Sequence, residues 1–450
     1  MTPLVFVLFL PAIALAWTLS QHRALGTLRR SALNPLLLVT MFVVLAAGDF
    51  ANIAAQGYGE LGGHLVRPPS GFTFLTAKFA LLVTAFVGGI GFVFYLPSLW
   101  APRPVQPGRS LDLRMFLLVV YLLLLAAWFY TVVRYSPQFF SLEGSVEAKR
   151  AAAGSITIYV TSLLLLPALC YALVRQPYRI ALPLAAVTLA ILFFSGSRTR
   201  LLYALVPILF YLVMVRGVRL PRSWFLIGVF ALGFVSIVTL NIRTLVSYNE
   251  TTSAERVFAI PNPFNLNDIP VAEANILLSR MARSRVNNYP GENLVSFFAA
   301  PLPREVASFK PLSGSVQFTQ AFDPTRWRTT GSGLVIGVLN ELSGDYPYPV
   351  ALVVAWLFGA GWAFAFLRAL RSPSIHGFAW TIALYIFIIT FFRGDLYIVG
   401  GALWVFVPYW IAVEASRRFL PTARAGHRQD RSSMFAAAEE MAEARPVSGR

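Results

Sequence analysis

Eleven blocks of almost unbroken apolar sequence constrain this chain more than any other feature. They lie at 3–19, 35–55, 72–99, 115–135, 155–174, 180–195, 201–215, 224–242, 348–367, 376–391 and 396–414. A hydrocarbon core about 30 Å thick is crossed by roughly 17–25 residues of helix. Inside it, a lipid-exposed segment must satisfy its own backbone polar groups, which makes each block a helix. Composition agrees. The 450 residues are 57% hydrophobic and 13% charged, against roughly 45–50% and about 25% in a water-soluble domain. A soluble enzyme, a disordered chain and a nucleic-acid-binding domain are excluded. The expected fold class is an all-α polytopic integral membrane protein with about eleven transmembrane helices and one large loop.

Charge sets the expected orientation. The net charge of +17 comes from 37 Lys+Arg against 20 Asp+Glu, and basic residues collect in short cytoplasmic loops. If 20–34 is cytoplasmic, alternation puts 100–114, 175–179, 216–223, 368–375 and the tail from 415 on the same side, with 20 basic residues. The opposite segments hold 16, of which nine fall in the long segment 243–346. Long loops translocate largely regardless of charge, so the comparison that matters is 20 against 7. The N-terminus is expected outside and the C-terminus inside. The first block has a cleavage-like Ala14-Leu15-Ala16, but its basic residues, Arg23, Arg29 and Arg30, follow it. It reads as an uncleaved helix. Residues 1–242 then hold helices one to eight, 243–346 a large and partly helical outer loop, 347–414 helices nine to eleven, and 415–450 a tail without fixed structure. Within 72–99, Gly88, Gly89 and Gly91 predict a tilt or kink.

A connection of 104 residues inside a compact protein suggests function. Its aromatic residues suffice to pack it as a lid on the bundle. Val271, Ala274, Leu278 and Met281 recur at helical spacing, with Asp268 as the expected N-cap. Arg280 and Arg283, three apart, point to one shared ligand. Ser195-Gly196-Ser197-Arg198-Thr199-Arg200 is a short outer turn that keeps two arginines where short loops avoid them. It opens a helix, whose N-terminus attracts anions, and arginine's planar fork suits phosphate. Snorkelling to lipid headgroups is the alternative. Phe392-Arg393-Gly394-Asp395 repeats the pattern, unless Arg393 and Asp395 pair with each other. Glu341 lies in the apolar run 331–345, where partial burial raises a carboxyl toward a useful base; a packing helix with a solvated Glu is the alternative.

Cys170 is the only cysteine, so no internal disulfide forms. No Cys/His cluster, His-Glu-x-x-His or Walker motif occurs, so neither a metal cage nor ATP nor another cofactor is expected. The long segment has no histidine; His22, His376 and His427 fall on the other side and His64 in the first outer loop. A base in the long segment must be a carboxylate or a water.

With its eleven spans, Ser195–Arg198, Pro301-Leu302-Pro303-Arg304 leading to Lys310-Pro311, and the run through Glu341 to Gly344, the chain resembles the Wzy-type polymerases of bacterial surface polysaccharide. The resemblance implies a GT-C-like glycosyltransferase of the inner membrane. Such an enzyme moves a growing glycan from undecaprenyl diphosphate onto the next lipid-linked repeat unit at the periplasmic face. It implies that Arg198, Arg200, Arg393, Asp395 and Arg304 hold diphosphate or substrate, that Arg280 and Arg283 close over it, and that Glu341 is the base. Expected partners are undecaprenyl-diphosphate-linked oligosaccharides, membrane lipids and a regulator of chain length. The related O-antigen ligases rely on a histidine in their large loop, which this one lacks. A lipid-linked sugar flippase calls for polar residues in mid-span; a scaffold leaves the paired arginines incidental.

Overall fold

The structure, a computed structural model, describes residues 2–61, 64–96, 114–135, 165–173, 178–194, 198–228, 271–281, 292–302, 308–330, 334, 336–372 and 374–419. The helices are α1 (Thr2–Ser20), α2 (Pro35–Gln56), α3 (Phe72–Phe94), α4 (Arg114–Tyr135), α5 (165–173), α6 (Tyr178–Phe194) and α7 (Arg198–Phe210). In the long segment come α8 (Val271–Met281), α9 (Glu292–Ala299), α10 (Gly314–Phe322), α11 (Pro324–Thr330) and α12 (Val338–Asp345). The last are α13 (Tyr348–Leu370), α14 (Ile375–Arg393), α15 (Leu396–Trp404) and α16 (Val407–Phe419). A hairpin of β1 (Gly59–Leu61) and β2 (His64–Val66) joins α2 to α3. The protein is mostly helical, and seven helical segments among the described residues are long and apolar enough to cross a membrane. They are α1, α2, α3, the body of α4, α13, α14 and Leu396–Ala415. The expected sixth and seventh spans contain shorter apolar helices, Arg179–Leu189 and Leu205–Val215. The expected fifth and eighth are described only over 165–173 and up to residue 228.

Local chemistry starts and stops these helices. Asn34 accepts from the Leu36 N–H ahead of Pro35, and α2 ends on Gly57 at φ 76°. Ser374 caps α14 through the Gly377 N–H. These are the side-chain caps and left-handed glycine that exposed helix-end groups require.

The third block forms one continuous helix, and its glycines serve a helix contact. Helix α3 runs unbroken from Phe72 to Phe94. A Cβ at Gly89 would collide with the Trp356 carbonyl, and one at Gly359 with the Phe86 carbonyl. The glycines let α3 and α13 touch backbone to backbone, the small-residue contact by which helices associate in lipid. The two run parallel, since the Tyr348 hydroxyl at the start of α13 donates to Lys78 O near the start of α3 at 2.9 Å.

Three of the segments expected on one side share one end of the bundle among the described residues. At one end, His22 packs against Phe94 and Tyr95, and Ala32 N–H donates to Leu220 O at 2.9 Å. The segments 20–34, 216–223 and 368–372 there carry eight arginines and no carboxylate. At the other end lie the hairpin and the helices of the long segment.

That second end is recessed. The last turn of α14 stacks Phe391 on Phe86 at 4.4 Å and Phe392 on Phe42 at 5.0 Å. Phe86 and Phe42 are each fourteen residues from the outer ends of α3 and α2, which at about 1.5 Å per residue places the α14–α15 turn roughly 20 Å below that rim. The long segment was expected to lie over the bundle as a lid. Instead α8, α9 and α12 pack down into this recess against α2, α3, α14 and α15. The short reach of α14 leaves apolar walls, which these helices cover. The gap left between Ala46, Phe79, Val271, Asn340 and Phe391 is about 10 Å³, at the threshold for one water.

Candidate functional site

The recess brings together two carboxyls from separate elements. Helix α12 starts at Gly337, whose φ of 76° suits glycine. Asn340 pins the helix, donating through Nδ2 to Val271 O and Ile336 O at 2.8 Å while its Oδ1 accepts from Asn275 at 2.7 Å. The neighbouring Glu341 is thereby aimed at the α14–α15 turn. Its Oε2 accepts from the Leu396 N–H at 2.7 Å. Its Oε1 is buried without a hydrogen-bond partner and rests on Gly314, where a Cβ would overlap it. In the turn itself, Asp395 caps α15 by accepting from the Ile398 N–H at 2.8 Å. Its other oxygen accepts from the Ser315 N–H at 3.1 Å, so the N-termini of α10 and α15 converge on the pair. Asp395 forms no ion pair with Arg393, because both its oxygens are turned to these N–H groups.

Glu341 is 2% exposed, more fully buried than its sequence setting predicts. Burial pushes its carboxyl well above the usual carboxylate range, and the neighbouring Asp395 pushes the same way. The hydrogen bond from the Leu396 N–H only partly offsets this.

A second acid pair lies nearer the rim. Asp49 on α2 accepts from the Ala272 N–H at 2.7 Å and so caps α8 from another helix. The expected cap, Asp268, lies outside the described residues. The Glu273 carboxyl lies against Asp49 and over Gly59, where a Cβ would overlap it. Burial raises its pKa, outweighing its hydrogen bonds.

Sequence reasoning missed a third pair. His64 Nε2 on β2 lies 3.1 Å from Asp323 Oδ2 at the end of α10, its ring edge-on to Phe322. Its side chain is 52% exposed. The long segment has no histidine of its own, but the hairpin supplies one to it. Nothing local signals a partner 259 residues away. Lys310 was also missed as a site residue: it donates to Ala300 O and Leu302 O at 2.9 and 2.7 Å, and its ammonium lies 4.8 Å from the centre of the Tyr397 ring.

Of the predicted arginines, the side chains of Arg280 and Arg393 lie among the described residues. Arg280, exposed near the end of α8, donates to Arg67 O. Arg393 closes α14 beside the carboxyl pair in sequence. Arg198 and Arg200 begin α7, with their side chains outside the described structure, as are Arg283, Arg304 and residues 195–197.

No family model matches the chain, and neither a curated protein nor a solved structure is significantly similar to it.

Proposed function

We propose that the protein is a membrane glycosyltransferase that polymerises lipid-diphosphate-linked oligosaccharides at the recessed end of the bundle. The observation that carries this reading is Glu341, a buried carboxyl with one oxygen unpartnered, set against the turn bearing Arg393 and Asp395 in a recess walled by apolar helices. Glycosyl transfer needs such a group. The acceptor hydroxyl oxygen attacks the anomeric carbon, the bond to the diphosphate breaks, and the lipid diphosphate leaves with the electron pair. A base takes the hydroxyl proton, and cations stabilise the departing charge. In its ionised form Glu341 serves as that base, once α10 lifts Gly314 from its Oε1 and opens the carboxylate to the acceptor, and Arg198, Arg200, Arg280, Arg283, Arg304 and Arg393 supply the positive field. The substrate class is undecaprenyl-diphosphate-linked oligosaccharide, and a chain-length regulator is the fitting partner.

The arginine-rich end is assigned to the cytoplasm and the recess to the periplasm of an inner membrane, N-terminus out and C-terminus in, on charge bias alone. Reporter fusions after Gly217 and Gly314 are expected to signal from opposite sides. Same-side signals would end the arrangement.

One observation favours a second reading, an O-antigen-ligase-like transferase that moves the glycan to a different acceptor. His64 is half-exposed and held by Asp323, a more accessible base than Glu341.

The test is polymerisation in vesicles carrying the lipid-linked repeat unit, read as glycan length on a gel. Arg198→Lys keeps the charge but loses the fork; it is expected to slow polymerisation at least ten-fold, roughly the loss of one charge-assisted contact of about 1.5–3 kcal/mol. Arg219→Lys, at the opposite end, is expected to polymerise like the parent. A silent Arg198→Lys would leave that arginine snorkelling and remove it from the site. If His64→Gln alone abolishes transfer, the second reading prevails. A parent protein that neither binds nor extends lipid-diphosphate sugars overturns both.

A further inference from the structure

The end of the bundle remote from the recess contains a seam of arginines that no carboxylate pairs with among the described residues. Segment 216–222 is laced to the turn that follows α1. Arg222 Nη2 donates to Ser20 O at 2.8 Å and also to Arg29 O. Ser31 bridges Pro221 in antiparallel fashion. This stitching brings the Arg222 guanidinium close to that of Arg29, and the pair repels, adding to the effect of partial burial in lowering the Arg222 pKa. Arg222 Nε is enclosed without an acceptor. Among the described residues no carboxylate pairs with Arg23, Arg29, Arg30, Arg219 or Arg222. An anion would complete this arrangement, since a desolvated donor on a cation is costly to leave unmet.

The surroundings say which anion. Trp17 on the last turn of α1, Trp224 just after Arg222, and Tyr95 against His22 are all exposed. Tryptophan and tyrosine gather at the headgroup level of a membrane. Beyond Trp17, the exposed Phe6 and Leu10 continue one face of α1 at helical spacing, an apolar track that begins beside the arginines. Free phosphate satisfies the cations but has no use for that track. An anionic glycerophospholipid uses both.

We infer that the Arg29–Arg222 seam binds the phosphate headgroup of an anionic glycerophospholipid whose acyl chains lie along α1. The site goes beyond the transferase reading and does not depend on it. Basic pockets between membrane helices recognise such headgroups through charge at short range, and guanidinium suits a phosphate in particular.

The experiment is native mass spectrometry of the full chain, released from detergent with phosphatidylglycerol, phosphatidylcholine or inorganic phosphate added in turn. Phosphatidylglycerol adducts are expected to survive release at several times the occupancy of phosphatidylcholine. Arg29→Gln is expected to lower that occupancy roughly five-fold. Its side chain makes no hydrogen bond or ion pair among the described residues, so the bundle is expected to stay intact. Arg222→Gln is expected to do the same, with circular dichroism verifying that the helices persist. Arg328→Gln, at the far end, is expected to leave retention unchanged. Equal retention of the two lipids, or full retention in Arg29→Gln, overturns the site and leaves the arginines to simple charge bias. Displacement of the lipid by millimolar inorganic phosphate identifies a free-anion site instead and overturns the lipid assignment.

Discussion

Gly359→Ala is expected to destabilise the bundle by about 3 kcal/mol, the upper end for overpacking a tight contact. The added methyl would meet the Phe86 carbonyl and the Ile90 amide of α3. These are backbone atoms of a long helix, which cannot rotate aside as a side chain does. The same change at Gly89 would meet Trp356 O and Ala360 N on α13 and is expected to cost as much. Gly361, two residues further along α13, provides the internal control. A Cβ there meets nothing within 4 Å, so Gly361→Ala is expected to be neutral or stabilising by up to ~1 kcal/mol. Melting temperature and size-exclusion profile in detergent check all three. If Gly359→Ala melts with Gly361→Ala, α3 and α13 do not make this contact. The consequence reaches the site, because α3 and α13 wall the recess beside Phe391.

Glu341→Gln is expected to stabilise the protein above neutral pH and to slow polymerisation about 100-fold, the scale of a lost general base. The sign of the first effect follows from proton binding. The folded state raises the Glu341 pKa well above that of a free carboxyl, so it holds a proton that the unfolded chain releases. Stability from this group is complete below the unfolded pKa of about 4.3 and is lost as pH rises through the folded pKa. Glutamine keeps an acceptor for the Leu396 N–H and never ionises. The variant should therefore match the parent near pH 4 and outlast it at pH 8, in melts run across that range. Equal melts at pH 8 would mean that the buried proton is absent. Activity is read separately on the glycan gel. A more stable variant that still polymerises like the parent would make Glu341 a clasp between α12 and α15, and the base would pass to His64.

Much of the architecture is legible in the sequence because it depends on neighbours along the chain. Hydropathy alone locates the seven spans that the structure bears out as helices long enough to cross a membrane. Helix starts at Asn34 and Ser374, and the helical spacing of Val271–Met281, are likewise local. So is the arginine bias of 20–34, 216–223 and 368–372, which the described structure gathers at one end. Glu341 stands out for the same reason, as a carboxyl in an apolar run.

What that carboxyl touches was decided elsewhere. Its burial depends on how far α14 rises before turning, and on Gly314 lacking a side chain. The cap on α8 comes from Asp49, 223 residues away. His64 meets Asp323 only because the hairpin folds over the end of α10. Gly89 reads as a kink in one dimension and acts as a contact surface in three. Hydropathy and helical period report which way each segment faces water or lipid. Depth, partner and desolvation are properties of packed pairs, set by helix length and tilt, and no stretch of sequence carries both members of a pair drawn from opposite ends of the chain.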